Sequence, residues 1–187
     1  MKHGVVLYGP PAAGKDTVTR ALAHLASSYR QFKRLKVGSG KRDGYRMGTA
    51  EQLLALEAAG DVVYANRRYG NTYAVDRPGL AAAFAAGVPV LHLGQIDGIR
   101  AVVGGYPALW STVLLWCPRE VTAHRSEARG DRDTAARLAA WEATQEDLDA
   151  HRDMVWDLTV DTSSVSPQES ARLIEQLLVQ RVGAASV

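Results

Sequence analysis

The residues with the clearest chemistry lie near the N-terminus, in a loop that runs Gly9-Pro10-Pro11-Ala12-Ala13-Gly14-Lys15. A short apolar run, Val5–Tyr8, precedes this loop, and a helical pattern begins directly after it. Strand, loop and helix in this order are the context in which a G-x-x-x-x-G-K motif predicts a phosphate-binding loop. Backbone N–H groups would surround a polyphosphate, and the Lys15 cation would follow its oxygens during transfer. The alternative is a glycine-rich turn with an incidental lysine.

The position after Lys15 departs from the usual motif. Ser or Thr normally follows the lysine and meets Mg²⁺ through its hydroxyl, whereas this chain has Asp16 there and Thr17 one residue later. We therefore expect Asp16 and Thr17 to supply the protein ligands of a Mg²⁺ ion. ATP is the expected phosphoryl donor, and its contacts are expected at Gly9, Pro10, Ala12, Ala13, Gly14, Lys15, Asp16 and Thr17.

A second group of basic residues follows within thirteen positions, with Tyr45 among them: Arg34, Lys36, Lys41, Arg42 and Arg46. A solvated surface is one explanation for such a run. A kinase that acts on a phosphorylated acceptor, however, needs a second anion site that faces the first, and side chains of these types bind phosphate by charge or by hydroxyl.

Three arginines near residue 130 form the third group. Arg125 and Arg129 are four residues apart and hence lie on one face of a predicted helix, and Arg137 lies on the next helix. Arginines that close over a transferring phosphoryl group stabilise the negative charge spread over its oxygens, so these three are candidate catalytic residues. Surface ion pairing with nearby acidic side chains is the alternative.

His92 and Asp97 follow a buried apolar strand, at the edge where open α/β sheets bind their ligands. Asp97 would hold the water shell of Mg²⁺ or an acceptor hydroxyl. His92 would contact the acceptor, with a satisfied core histidine as the alternative.

The elements that must position these residues alternate in type along most of the chain. Apolar strands predicted over 88–93, 111–116 and 156–160 are separated by helical patterns, which predicts a parallel sheet with helices on both faces. We therefore expect an α/β fold of three layers, with a core over 1–30 and 77–187 and a helical lid at about 125–140.

Residues 31–76 do not follow this alternation of strands and helices, and they predict a small inserted, mixed α/β lobe that binds the acceptor. The run 31–37 predicts one half-exposed strand with its basic residues outward. Thr49 predicts the start of a helix through a capping box, and Tyr69–Asn71 predicts a hairpin turn between two short strands.

Composition narrows the class of protein further. The chain has 187 residues and a net charge of +2 without a basic tail, which predicts a single domain that does not bind nucleic acid. Cys117 is its sole cysteine, so neither a disulfide nor a cysteine metal site is expected. No apolar run reaches the length of a membrane span, and we expect a cytoplasmic protein without membrane contact, as a monomer or homodimer.

In their order and spacing, these motifs resemble the guanylate kinase family and, more loosely, its relative ribose 1,5-bisphosphate phosphokinase. The resemblance covers nearly the whole chain, and its marks are GPPAAGKDT, RLKVGSGKRDGYR, GNTYAV and RSEARGDR. It implies a three-layer P-loop (Walker A) kinase fold, use of ATP and Mg²⁺, and a lid that carries the three arginines. It also implies an acceptor-phosphate site formed by Arg34, Lys36, Tyr45 and Tyr73.

Two departures from the family bear on the acceptor. The glutamate with which the family binds guanine would fall near Tyr64, and paired aspartates of the family would fall on His92 and Gly94. A guanine edge needs an acceptor for its N–H donors, so guanosine monophosphate is not expected as the substrate. We instead expect a sugar phosphate, such as ribose 1,5-bisphosphate, or a non-guanine nucleoside monophosphate, with Tyr64, His92 and Asp97 also contacting it.

Two alternatives remain from the sequence. A kinase of a hydroxyl-bearing metabolite or antibiotic would need a base, for which Asp16 and Asp97 are the candidates. A catalytically inactive guanylate-kinase-like module that binds phosphorylated ligands would instead consume no ATP.

Overall fold

A computed structural model describes residues 2–68, 70–130 and 133–184. Its strands are β1 (His3–Tyr8), β2 (Tyr29–Gln31), β3 (Leu35–Val37), β4 (Arg46–Gly48), β5 (Val62–Arg68), β6 (Asn71–Asp76), β7 (Val88–His92), β8 (Leu109–Trp116) and β9 (Leu158–Asp161). Its helices are α1 (Lys15–Leu25), α2 (Ala50–Ala58), α3 (Arg77–Ala86), α4 (Ile96–Gly105), α5 (Arg119–Ala128), α6 (Thr134–Ala150) and α7 (Pro167–Ala184).

The larger sheet is entirely parallel, with the strand order β2-β7-β1-β8-β9. Every residue of the central strand β1 is buried because helices cover both faces of the sheet. On one face α1 and α7 contribute Leu22 and Ile174 to the core, and on the other α3 and α4 contribute Leu80 and Ile99. The carboxyl ends of the strands therefore form one edge, at which β1 leads into the glycine loop.

The smaller sheet forms the predicted lobe, with the strand order β4-β3-β6-β5. Strands β3 and β4 are parallel, and the other neighbouring pairs are antiparallel. The capping box of α2 is confirmed, since Gln52 N donates to Thr49 Oγ1 at 3.2 Å and Thr49 N donates to Gln52 Oε1 at 3.0 Å. The hairpin of β5 and β6 is confirmed too, although Tyr69 of its predicted turn lies outside the described residues.

The predicted three-layer α/β fold is confirmed, whereas two local predictions are wrong. The run 31–37 is not one strand, because β2 pairs in the core sheet and β3 pairs in the lobe. Lys36 does not point into solvent, since it is 2% exposed on a strand with neighbours on both sides.

No helix within the described ranges combines the length and the apolar character that a membrane span requires.

Asp76 joins the lobe to the core. It ends β6 and caps α3, where Gly79 N donates to its Oδ1 at 2.7 Å, and its second carboxylate oxygen pairs with Arg46 of β4. Asp76 is 1% exposed, so its charge depends on these two partners. One buried carboxylate thus fixes where the lobe stands relative to the main sheet.

We expect Asp76→Ala to lower the free energy of unfolding by about 2–4 kcal/mol, because it removes a helix cap and leaves Arg46 without its carboxylate. Urea denaturation followed by tryptophan fluorescence measures the change. Asp153→Ala is the matched control: it deletes a carboxylate from the exposed pair with Arg100 and should leave the denaturation midpoint unchanged. Equal destabilisation by both variants would contradict the role given to Asp76.

Candidate functional site

The loop between β1 and α1 depends on backbone conformations that few residues adopt. Gly9, Ala12 and Gly14 have φ angles of 145°, 61° and 87°. A Cβ atom on Gly9 would lie 1.9 Å from a carbonyl oxygen of β8, so the loop packs directly on that strand. The helical ladder begins with Val18 N, which donates to Gly14 O at 2.8 Å. The amide groups of residues 14–17 precede that ladder and are suited to an anion.

Lys15 folds back over its own loop. Its Nζ donates to Gly9 O at 2.6 Å and to Pro10 O at 2.9 Å, which leaves one of three N–H donors for a ligand. Burial lowers the pKa of Lys15 to about 8, although the Asp16 carboxylate acts in the opposite direction. The side chain therefore remains largely a cation at neutral pH.

Asp16 and His92 face each other beside the lysine. The Asp16 side chain is 78% exposed, and its Oδ1 lies 3.4 Å from His92 Nδ1. His92 Nε2 lies 2.8 Å from Thr19 Oγ1, which in turn donates to Lys15 O at 2.9 Å. Burial and the charge of Lys15 lower the pKa of His92 to about 4, while Asp16 opposes them. His92 is therefore neutral at physiological pH.

The environment of Asp16 and Thr17 fits a Mg²⁺ ion. Mg²⁺ in phosphate sites is usually held by one or two protein groups together with substrate phosphates and water. Asp16 offers an exposed carboxylate beside Lys15, and Thr17 is exposed one residue later. Among the residues described, no group of three or more His, Cys, Asp and Glu side chains could hold a metal ion alone. A site completed by substrate oxygens agrees with that finding.

A cavity of about 390 Å³ opens beside the loop, between α5 and α7. Arg125 lines it: Nη1 donates to Ala12 O at 2.9 Å, and Nη2 donates to Thr162 O at 2.5 Å. Val165 adds apolar surface, and Arg129, which also lines the cavity, donates from Nε to Arg125 O at 3.1 Å. A planar guanidinium and apolar walls next to a phosphate loop suit an aromatic base.

The third predicted lid arginine stands apart from this cavity. Arg137 lies on α6, and its Nε donates to Asp133 Oδ1 at 3.1 Å. It is not among the residues that line the cavity beside Arg125. Asp131 and Arg132, which belong to the predicted lid, lie outside the described residues.

On the opposite side of the loop, a cavity of about 210 Å³ lies between Asp16 and the lobe. Arg34 and Tyr45 line its lobe side and also line an adjoining cavity of about 170 Å³, to which Tyr73 contributes. The Arg34 guanidinium lies 5.2 Å from the centre of the Tyr73 ring. The structure thus brings three of the four predicted acceptor-phosphate residues to two adjoining cavities, one of which begins at Asp16, next to the loop lysine.

Lys36, the fourth of these residues, lies behind the cavities. Its Nζ donates to Lys41 O at 2.7 Å and lies 5.4 Å and 5.8 Å from the ring centres of Tyr45 and Tyr73. Lys36 therefore fastens the loop 38–44 against the lobe sheet. Lys41, from that loop, lines the cavity that also contains Asp16.

Tyr64 and Asp97 lie farther from the phosphate loop. Tyr64 OH donates to Gln95 Oε1 at 2.7 Å, and its ring packs so closely on Gly98 that a Cβ there would lie 2.7 Å away. Asp97 is 77% exposed and lies 3.4 Å from His151 Nε2 of the α6 C-terminus. Asp97 is not among the residues that line the cavities next to Asp16.

Several residues that support the site were not predicted from the sequence. Asp147 of α6 accepts hydrogen bonds from Tyr8 OH at 2.7 Å and from Ile96 N at 2.9 Å, and so fixes α6 to the sheet edge. Thr122 of α5 donates to Pro11 O at 3.1 Å. No local motif marks these residues, because their partners lie 51 to 139 positions away in the chain.

Three solved structures illustrate which known proteins share this architecture. Guanylate kinase from Anaplasma phagocytophilum matches with a TM-score of 0.57 and 15% identity, over 96% of this chain and 86% of that one. Shikimate kinase from Acinetobacter baumannii, in complex with shikimate, matches with a TM-score of 0.52 and 16% identity, over 97% of this chain and 94% of that one. The YorR protein from Bacillus subtilis, in complex with phosphorylated GDP, matches with a TM-score of 0.51 and 15% identity, over 96% of this chain and 98% of that one. Identities this low show the fold alone.

Sequence comparisons give the family. No curated protein matches the chain significantly. The model of the family described as chloramphenicol phosphotransferase-like protein matches residues 31–179, which is well over half of the chain. The resemblance to guanylate-kinase-like P-loop kinases is confirmed by this match together with the solved structures. The chain therefore belongs to the chloramphenicol phosphotransferase-like family and has the fold of a guanylate-kinase-like P-loop kinase.

Proposed function

We propose that the protein is an ATP-dependent small-molecule kinase, which transfers the γ-phosphoryl group to a phosphorylated acceptor. The observation on which this rests is that the residue after the loop lysine and two residues of the predicted acceptor site line one cavity. Asp16, next to Lys15, lies on one side of it, and Arg34 with Tyr45 lies on the other. Tyr73 joins Arg34 and Tyr45 in the adjoining cavity.

On the donor side, the phosphates of ATP would accept hydrogen bonds from the loop amides and from the third N–H of Lys15. The adenine would enter the cavity beside Arg125 and Val165. Asp16 and Thr17 would hold Mg²⁺, which when bound neutralises charge on the β- and γ-phosphates. ATP and Mg²⁺ agree with the general chemistry of the P-loop kinase fold.

On the acceptor side, Arg34 would hold the acceptor phosphate together with the hydroxyls of Tyr45 and Tyr73. The buried charge of Lys36 adds to the positive potential beneath them. Arg129 lines the donor cavity with an exposed side chain, whereas Arg125 is bonded to the loop, so Arg129 is the arginine that we expect to reach the phosphoryl group in transfer. An acceptor that attacks through a phosphate oxygen is already anionic and needs no general base.

A second candidate function, the kinase of a hydroxyl-bearing metabolite or antibiotic, is favoured by the contact of Asp16 with His92. A hydroxyl that approaches this pair from the cavity could pass its proton to the exposed Asp16 carboxylate. The family description and the shikimate kinase fold also support this class. A binding module without activity is less well supported, because it would not need a charged Lys15.

An ADP-release screen tests these functions. It would use ATP and Mg²⁺ with nucleoside monophosphates, pentose phosphates and hydroxylated metabolites, and Lys15→Ala as the inactive control. We expect turnover of a pentose phosphate or a non-guanine nucleotide, with kcat/KM about tenfold or more above that for guanosine monophosphate. Turnover of hydroxylated metabolites alone would favour the second function. An absence of acceptor-dependent release would favour the binding module.

The acceptor site is tested by Arg34→Ala. We expect the KM for the acceptor to rise about tenfold or more while the KM for ATP stays within about twofold, because charge-assisted hydrogen bonds to the acceptor phosphate are lost. Arg30→Ala, which removes an exposed arginine of β2, is the matched control and should change neither KM. A similar rise of both KM values in Arg34→Ala would contradict the assignment.

The charge of Lys15 predicts how ATP use depends on pH. Its pKa of about 8 means that the ammonium is present below this pH and is lost above it. We therefore expect kcat/KM for ATP to fall as the pH rises through about 8. Lys15→Arg keeps its charge across this range, so its profile should lack the decline between pH 7 and 9, whatever its absolute rate. A decline that persists in Lys15→Arg would show that another group titrates.

A further inference from the structure

The acceptor-phosphate residues open onto a longer groove. The cavity of about 170 Å³ that contains Arg34 adjoins a second cavity, of about 310 Å³, which extends to Thr144 on α6. The two cavities share four lining residues, which we call the acceptor groove: Asn66, Arg68, Gly94 and Gln95. When the phosphate of a ligand is bound at Arg34, the rest of that ligand can extend into the acceptor groove.

The amide of Asn66 has a fixed orientation. Arg34 Nη1 donates to Asn66 Oδ1 at 3.4 Å. A guanidinium has donors and no acceptor, so the atom that faces Arg34 is the amide oxygen. Asn66 Nδ2, with its two N–H groups, has no hydrogen-bond partner among the residues that the structure describes. Asn66 therefore presents donors to the acceptor groove.

Gln95 is arranged in the same way. Its Oε1 accepts the hydrogen bond from Tyr64 OH, which leaves Nε2 without a partner in the described parts of the chain. Gln95 occupies the N-cap position of α4 but makes no capping bond with its side chain, because Asp147 accepts from Ile96 N instead. The side chain is thereby available to a ligand, and it too presents donors.

The charged side chains of the acceptor groove also favour a ligand that accepts hydrogen bonds. Arg68 lines both cavities, and its guanidinium carries donors and no acceptors. Asp147 is the carboxylate at the far end, where Oδ2 receives hydrogen bonds from Tyr8 and Ile96 and Oδ1 lies 3.1 Å from His151 Nδ1. A bound ligand must therefore supply acceptor oxygens. The N1–H and N2–H groups of a guanine would face donors there and lose their hydrogen bonds to water, a loss that its O6 and N7 acceptors do not replace.

We propose that Asn66 and Gln95 determine specificity and select a phosphorylated acceptor whose remaining part is rich in hydrogen-bond-accepting oxygens, such as a sugar phosphate. Tyr64 is a positioning residue, because the hydrogen bond from its hydroxyl to Gln95 Oε1 leaves Nε2 for the ligand. This inference rests on the proposed function, in which Arg34, Tyr45 and Tyr73 bind the acceptor phosphate.

Two probes test the inference by calorimetry: ribose 5-phosphate and guanosine monophosphate, which contains the same phosphorylated ribose and adds the guanine. We expect the wild-type protein to bind ribose 5-phosphate about tenfold more tightly, despite its smaller size. Gln95→Glu keeps an oxygen for Tyr64 and replaces the donors by a carboxylate oxygen. This variant should bind ribose 5-phosphate about tenfold more weakly and guanosine monophosphate about fivefold more tightly than the wild-type protein does.

Three further variants complete the experiment. Asn66→Asp, which keeps the oxygen that faces Arg34, should lower the affinity for ribose 5-phosphate by about as much as Gln95→Glu does. Tyr64→Phe should reduce the preference for ribose 5-phosphate about threefold or more while the denaturation midpoint stays unchanged, which a merely structural role would not produce. Gln180→Glu, an exposed change of the same charge on α7, is the control and should alter neither affinity.

The inference is overturned if the wild-type protein binds ribose 5-phosphate no better than guanosine monophosphate. It is also overturned if Gln95→Glu changes neither affinity or changes both in the same direction. These binding ratios do not depend on turnover. A protein that shows the expected ratios but releases no ADP with any acceptor would disprove the proposed function alone, so the two failures are distinguishable.

Discussion

The Nζ atom of Lys15 lies between two carbonyl oxygens of its own loop, and the rest of the site depends on holding this half-buried cation in place. Gly9 O and Pro10 O offset part of its desolvation, which nevertheless lowers the pKa of the ammonium to about 8. The loop cannot collapse because Gly9 packs on β8, and because Thr122 and Arg125 of α5 bond to two further loop carbonyls. A contiguous motif therefore functions through supports that lie more than a hundred residues away.

The opposite half of the site is built on a different principle. The lobe sheet is small, so its charges are held by aromatic rings and by the loop 38–44 rather than by a deep core. Arg34 lies over the Tyr73 ring, and Lys36 lies near the rings of Tyr45 and Tyr73 and bonds to the loop. Arg34 thus lines the cavity, while the buried Lys36 adds to the positive electrostatic potential beneath it. Electrostatic attraction for an anion is present before any ligand is bound.

These contrasts explain what the sequence could predict. The phosphate loop and the capping box of Thr49 are local patterns, in which the residues that interact are neighbours in the chain, and both were predicted. The outward orientation of Lys36 was predicted wrongly because alternation assumes a solvent-facing side, which the folded loop 38–44 removes. The roles of Asp147 and Gln95 could not be predicted, because each depends on an element that only the three-dimensional fold brings near.

Asp147 shows how donor and acceptor sides are connected. Its single Oδ2 atom accepts from Tyr8, the last residue before the phosphate loop, and from Ile96, the first residue of α4. Since α6 supplies the cap of α4, the N-cap residue Gln95 is left to interact with Tyr64 and with the groove. Were Gln95 required as the cap, its amide would turn toward the helix and the donors of the groove would be lost. Selection of the acceptor and placement of the helix that bears Arg137 thus depend on the same carboxylate.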